Sequence, residues 1–106
     1  MSETKCDVIT KVKINTDLKL PPLYSVILIN DETTSLIFVI RVIMEVFGHS
    51  YEAALSIATN IDEVGFGSVA SGLTKELSSH LRDLVISKAR AEFFPLVAEI
   101  REDTNE

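Results

Sequence analysis

The sequence predicts an α+β domain in which three helices cover one face of a three-stranded, mostly antiparallel sheet. The chain has 106 residues, enough for the core of one domain but not of two. Segments rich in β-branched residues and longer segments of helical period follow one another in the order β-α-α-β-α-β. Prolines, glycines and helix-capping side chains separate these segments. We predict a domain over residues 20–101, preceded by a flexible extension, residues 1–19, and followed by an acidic tail, residues 102–106.

The first strand is predicted over residues 23–29. Prolines at positions 21–22 hold an extended approach to it, because proline fixes φ and cannot continue a helix. The strand ends at Asn30-Asp31, a pair that favours turns. Side-chain oxygens in residues 31–35 can cap the first helix, residues 36–47. This helix is apolar on almost all sides, so we expect other elements to cover it on both sides. Its second apolar side carries Ile37, Ile40 and Met44.

The second helix is predicted between its cap, Ser50, and Gly65, which ends it. The next stretch, residues 65–72, holds three glycines and few apolar residues, which predicts a thin strand or a bulged loop. The apolar positions of the helix recur at helical spacing and predict one buried face, made of Ala54, Ile57, Ala58, Ile61 and Val64.

The third helix is predicted from its cap, Thr74, to about Arg90. Pro95 then breaks the chain, and residues 96–100 form the last predicted strand. The inner face of the third helix is predicted to hold Leu77, Leu81, Leu84 and Val85.

The composition argues against several classes of function. The net charge of −6 does not suit a nucleic-acid-binding protein, which needs clustered Lys and Arg to replace counterions. No apolar run reaches the roughly 18 residues of a membrane-spanning helix. The first residues lack the apolar segment of a secretory signal. We therefore predict neither nucleic-acid nor membrane partners, and we expect a cytoplasmic protein.

The sequence predicts no catalytic, metal or cofactor site. Cys6 is the single cysteine, and its place in the extension makes it hard to orient as a nucleophile. His49 and His80 lie far apart without metal-binding spacing, and we expect both on the surface. Charge on helix surfaces explains three acidic residues better than a catalytic carboxylate pair does: Glu45, Asp62 and Glu63.

Residues 21–32, with the sequence PPLYSVILINDE, resemble the opening of the ClpS family of adaptors for the ATP-dependent Clp protease. Members of that family have a Pro-Pro lead, an aliphatic strand, and then Asn-Asp followed by Asp or Glu. The resemblance extends to about residue 101, with one additional residue in the glycine-rich stretch. It includes Thr34, Phe38, Val39, Val46, Phe47, Glu52, Ala54, Thr74, Glu76, Pro95 and Leu96.

The resemblance implies both a fold and a function. ClpS-like domains bind the free N-terminus of proteins that begin with a bulky hydrophobic residue, and pass them to the N-terminal domain of a Clp-type AAA+ unfoldase. By resemblance, Asn30 and Asp31 bind the α-ammonium group, Thr34 lies beside them, and Glu76 belongs to the docking face for the unfoldase. No role requires more than a monomer. The pocket for the first side chain would be walled by Leu28, Leu36, Val39, Ala58 and Ile61.

The chemistry of these residue types fits that function. An ammonium group that leaves water needs hydrogen-bond acceptors, and charged acceptors are the stronger ones. An amide oxygen and a carboxylate at neighbouring loop positions supply two. Burial of one large apolar side chain stabilises a complex by roughly 1.5–3 kcal/mol, which allows selection of bulky first residues without catalysis.

The chain departs from the family pattern at three places. Asp62 stands where the family usually has a histidine that contacts the same ammonium; it can replace that contact or be a solvated helix-end residue, and the sequence leaves both open. Ala58 replaces a methionine that narrows the pocket, which predicts a wider pocket. On the docking face Thr33 replaces a tyrosine, and an acidic and lysine pair falls on or near Ser79 and Leu81.

A second function remains open on the sequence. The chain could be an interaction module that keeps the ClpS fold without recognising N-terminal residues. An open apolar pocket beside Asn30 and Asp31 would favour recognition, and a filled one would favour the module. The C-terminal domain of the ribosomal stalk protein has a similar order of elements, but its Gly- and Lys-rich helical motif is missing here.

Overall fold

A computed structural model describes residues 21–103 of the chain. The predicted extension, with Cys6, and residues 104–106 lie outside the described residues. The strands pair antiparallel in the order β2-β1-β3, so the predicted fold class and order of elements are confirmed. The elements are β1 (Tyr24–Ile29), α1 (Leu36–Phe47), α2 (Tyr51–Val64), β2 (Phe66–Leu73), α3 (Lys75–Ala91) and β3 (Val97–Glu102).

The central strand β1 organises the core. It is paired on both sides, and its side chains Val26 and Leu28 are fully buried. The core around them takes residues from all three helices, including Ile43, Ala58 and Val85. The apolar, β-branched composition of β1 matches this position, because a central strand exposes little of its length to water.

Local capping chemistry sets the helix boundaries as predicted. The hydroxyl groups of Ser35, Ser50 and Thr74 each accept a hydrogen bond from a backbone amide in the first turn of α1, α2 and α3. Gly48 and Gly65 end α1 and α2 in the left-handed conformation, with φ values of 75° and 109°. Glycine adopts such values without a steric penalty, so Gly65 is the C-cap that the sequence predicts, and Gly48 has the same role in α1.

The expectation that α1 is covered on both sides is wrong in part. Ile40 is buried as predicted, but Ile37 is 78% exposed and Met44 is also exposed. The buried residues of α1 are Phe38, Val39, Ile40, Val42 and Ile43, and the side that carries Ile37 and Met44 faces solvent. The apolar residues on all sides of α1 therefore predicted more burial of this helix than the structure shows.

The inner faces of α2 and α3 also differ from the prediction. Val64 is exposed because α2 ends there, and Leu77 and Leu84 of α3 are exposed as well. The buried positions of α3 are small, namely Ser78, Val85 and Ala89, with Leu81 partly buried against the core. Small side chains let the helix approach the sheet closely, whereas the prediction had favoured the largest apolar residues. The buried hydroxyl of Ser78 donates to the Lys75 carbonyl oxygen at 2.9 Å and so keeps a partner.

The glycine-rich stretch forms an eight-residue strand, β2, with two register shifts against β1. It thus combines the strand and the bulge that the sequence left as alternatives. Strand β3 extends to Glu102, beyond the predicted end at residue 100. The carboxylate of Asp103 then accepts from the Ser25 hydroxyl and, at 3.0 Å, from the Gly72 amide. Of the predicted acidic tail, Glu102 therefore belongs to β3, and Asp103 is bonded to the ends of β1 and β2.

The turn after α3 holds the one non-glycine residue with positive φ among residues 21–103. Phe93 has a φ of 64°, and its side chain is 91% exposed. A left-handed conformation costs an L-residue with a Cβ about 1–2 kcal/mol, and asparagine tolerates it better. We expect Phe93→Asn to raise the free energy of unfolding by about 0.5–1 kcal/mol, measured by urea denaturation.

Phe94 provides the matched control for that change. Its ring packs against Phe38 with 4.9 Å between centroids, so Phe94→Ala should lower the same free energy. If Phe93→Asn were no more stable than the parent protein, the turn would not be strained by its phenylalanine.

Candidate functional site

The loop after β1 is built around the carboxylate of Asp31. One oxygen accepts from the backbone amides of Thr33 and Thr34, at 2.8 Å and 2.7 Å. The other accepts from the Thr34 hydroxyl at 2.7 Å. These three bonds fold residues 31–34 into a tight turn and fix the orientation of the Asp31 side chain.

The environment of Asp31 favours its charged form. Partial burial acts to raise the pKa of Asp31, but the hydrogen bonds from the Thr34 hydroxyl and from the Thr34 and Thr33 amides lower it more. The resulting pKa lies below the ordinary value of 3.8. Asp31 is therefore a fixed negative charge at neutral pH, at the edge of the domain.

This lowered pKa has a consequence for acid stability. A carboxyl group with a depressed folded-state pKa stabilises the fold fully above its unfolded pKa, and that contribution is lost as the pH falls through the folded pKa. We expect the difference in unfolding free energy between the parent protein and Asp31→Asn to be constant above about pH 5 and to shrink towards pH 2. Urea denaturation at a series of pH values measures it.

Glu32→Gln is the control, because Glu32 is exposed and next to the same turn. Its difference from the parent protein should change less over this pH range. A difference for Asp31→Asn that stayed constant down to pH 2 would contradict the lowered pKa.

Asn30 joins the turn to the end of α2. Its side chain is exposed, and its backbone N–H donates to the Gly65 carbonyl oxygen at 2.9 Å. Gly65 in turn donates its N–H to the Ile61 carbonyl oxygen at 2.8 Å. The last turn of α2, which carries Asp62, is thereby held next to the Asn30-Asp31 loop. The Asp62 side chain is exposed, as both interpretations of its role require.

The predicted pocket wall divides into buried and exposed parts. Leu28, Ala58 and Ile61 are at most 2% exposed, and Val39 is 8% exposed. All four belong to the hydrophobic core. Leu36, the first residue of α1, is 42% exposed. The same side chains therefore serve as core and as predicted pocket wall, and Leu36 is the part of that wall accessible from solvent.

His49 differs from its predicted position in solvent. Its Nε2 lies 2.8 Å from the carbonyl oxygen of Val69, and the side chain is half-buried. A carbonyl oxygen only accepts, so Nε2 carries the proton and binds the backbone of the edge strand β2. His80 is exposed on α3, as predicted.

The other acidic residues singled out in the sequence have ordinary helix-surface environments. Glu45 pairs with Lys88 at 3.5 Å across α1 and α3, which fits the helix-surface interpretation. Glu76 is exposed in the first turn of α3, where its charge complements the helix dipole. Within residues 21–103, no group of three or more His, Cys, Asp or Glu side chains is placed to hold a metal ion. No helix in the same range is long and apolar enough to cross a bilayer.

Sequence reasoning missed the carbonyl group of Gly65 as part of this region. The signal was Gly65 itself, since a C-cap glycine ends α2 and turns the chain towards the sheet. What the sequence could not show is that this turn meets Asn30, because the two residues are far apart along the chain.

Comparisons with known proteins agree on one family. Residues 19–99 match the family model described as ATP-dependent Clp protease adaptor protein ClpS. A ClpS adapter protein of Oleidesulfovibrio alaskensis is 37% identical over 91 residues, covering 86% of each chain. One from Campylobacter jejuni is 33% identical over 94 residues, covering 89% of this chain and 97% of its own.

A solved structure shows the same fold. Agrobacterium tumefaciens ClpS2, bound to L-phenylalaninamide, superposes with a TM-score of 0.76 at 23% sequence identity. The superposition covers 79% of this chain and all of the ClpS2 chain.

Proposed function

Because the chain belongs to the ClpS family of adaptor proteins for the ATP-dependent Clp protease, we propose that it binds the free N-terminus of proteins that begin with a bulky hydrophobic residue. We further propose that it delivers these proteins to the N-terminal domain of a Clp-type AAA+ unfoldase. In this function the protein is a non-catalytic adaptor that acts as a monomer.

The observation that carries the proposal is the charged, oriented carboxylate of Asp31. A carboxylate offers about four acceptor positions, and the turn uses three of them. The remaining position can accept from the α-ammonium group of a substrate. Asn30 adds an exposed amide oxygen next to it, and Thr34 keeps the carboxylate in place.

The side chain of the first residue would enter beside Leu36 and contact the wall formed with Val39, Ala58 and Ile61. These walls are apolar, so a charged or polar first residue would lose its hydration without gaining a partner. The ligand that ClpS2 binds supports this proposal, since L-phenylalaninamide combines a free α-amine with an aromatic side chain.

Two further roles complete the proposal. Asp62 would add a second carboxylate for the ammonium group, from the turn of α2 that the Gly65 carbonyl ties to Asn30. Glu76, exposed at the start of α3, would contribute to docking on the unfoldase, and the extension before residue 20 would assist the transfer of the substrate.

Fluorescence polarisation with labelled ten-residue peptides tests the binding step. Peptides beginning with Leu, Phe, Tyr or Trp should bind, and the same peptides with an acetylated N-terminus should bind far more weakly. Equal binding of acetylated and free peptides would overturn recognition of the N-terminus.

One observation favours the alternative, an interaction module with the ClpS fold that does not recognise N-termini. Four of the five predicted wall residues are already buried in the core. If none of the four peptides binds at high micromolar protein concentration, the alternative holds and the family's fold serves another contact.

A further inference from the structure

We propose that Gly67 is a positioning residue that sets the width of the pocket for the first side chain of the substrate. The inference rests on the proposed function, because it concerns selectivity at the same site. Gly67 acts through Ile61 and does not itself contact the substrate.

The close approach of β2 to α2 is the observation behind this proposal. Gly67 pairs with Leu28 in the sheet, so it lies at the level of the predicted pocket wall. A Cβ atom added to Gly67 would lie 2.8 Å from Cγ1 of Ile61, a distance that real Cβ contacts do not show. The absence of a side chain at Gly67 is therefore what allows Ile61 its present position.

Ile61 has little freedom to move outward in response. Its side chain is 2% exposed and belongs to the core. Its own turn is bonded to Gly65, and Gly65 is bonded to Asn30. Strand β2 begins at the next residue, Phe66, so the end of α2 is tethered directly to the sheet. A methyl group at position 67 should therefore push the Ile61 side chain into the space that a large first residue needs.

The test measures the ratio of the dissociation constant for a peptide beginning with Trp to that for one beginning with Leu. The ratio measured for the parent protein is the value with which each variant is compared. Gly67→Ala should raise it by about tenfold, because over-packing penalises the larger ring more than the smaller side chain. Gly67→Ser, with a slightly larger side chain, should raise it at least as much.

A second variant, Ile61→Val, tests the same inference even if Gly67→Ala does not fold. Ile61→Val removes one methyl group from the wall and should lower the ratio, because the wider pocket holds leucine less well. The control is Ser68→Ala, at the next and exposed position of β2, which should leave the ratio unchanged. Circular dichroism establishes that each variant is folded.

Two results would overturn the inference and leave the proposed function standing. One is an unchanged ratio in folded Gly67→Ala, whether both affinities stay the same or fall equally. The other is an unchanged ratio in folded Ile61→Val. If the parent protein binds neither peptide, the proposed function fails and the inference fails with it.

Discussion

Asp31→Asn is expected to weaken the binding of peptides with a free N-terminus by about 10- to 100-fold. A hydrogen bond to a charged group contributes about 1.5–3 kcal/mol, and each 1.4 kcal/mol corresponds to a factor of ten. Asparagine keeps an oxygen that can accept from the Thr33 and Thr34 amides, so the turn is preserved. What the variant loses is the negative charge that pairs with the α-ammonium group.

The control for this variant is an acetylated peptide together with Glu32→Gln. Acetylation removes the ammonium charge, so the parent protein and Asp31→Asn should bind the acetylated peptide equally weakly. Glu32→Gln removes a neighbouring exposed charge and should change affinity less than Asp31→Asn does. An affinity that fell equally in both variants would indicate a general electrostatic effect and no specific ion pair.

The pH dependence of binding follows from the same pair. The lowered pKa of Asp31 keeps the carboxylate charged throughout the neutral range. An α-amino group loses its proton with a pKa near 7.7–8.0. Affinity should therefore change little from about pH 5 to pH 7 and fall as the pH rises through about 8, because the amine then becomes neutral.

The sequence predicts the fold well where local chemistry decides the structure. Ser50 and Thr74 cap their helices as predicted, and Ser35 is the cap among the candidates in residues 31–35, because a capping hydroxyl acts on amides only two or three residues away. The order of elements follows from the same local signals. The family resemblance adds the sheet topology, which no local signal specifies.

The helix faces were harder to predict because packing depends on shape as well as on polarity. Leu77 and Leu84 were assigned to the core by their size and spacing, yet Ser78 and Ala89 occupy it. A small side chain places the helix axis nearer to the sheet, and only the assembled structure shows which face does so. The spacing of apolar residues alone does not show which of two neighbouring faces of an amphipathic helix is buried.

The candidate site likewise has one part that local sequence predicts and one part that depends on the tertiary structure. The turn of Asp31 and Thr34 is local, and its polar residues indicated it in the sequence. The bond from Asn30 to Gly65 joins distant segments, and the close approach of Gly67 to Ile61 depends on where β2 lies after the turn that ends α2. Both depend on the antiparallel pairing of β1 with β2, so they become visible only when the register is known.

Leu28→Ala is expected to lower the free energy of unfolding by about 2–5 kcal/mol. Leu28 is fully buried on the central strand, and its removal leaves a cavity between the sheet and the helices. A domain of this size has a total stability of about 5–15 kcal/mol, so the variant should lose a large part of it. Thermal and urea denaturation measure the effect.

Leu36→Ala should show the opposite behaviour. Leu36 is 42% exposed at the first position of α1, where alanine is an excellent helix former, so stability should change little. Loss of its contact with the first side chain should weaken binding of a Phe peptide by about fivefold, from roughly 1 kcal/mol of lost apolar burial. Ile37→Ala, at a more exposed neighbouring position, is the matched control and should change neither quantity.

The contrast between Leu28 and Leu36 tests whether core and pocket share the same side chains. If they do, buried wall residues cannot change without loss of stability, and selectivity can vary only at exposed Leu36 or through spacing residues such as Gly67. Leu36→Ala with unchanged binding, together with weaker binding in Ile37→Ala, would place the peptide on a different side of α1. Leu28→Ala with parental stability would show instead that the wall is separable from the core, and the pocket could then evolve independently of the fold.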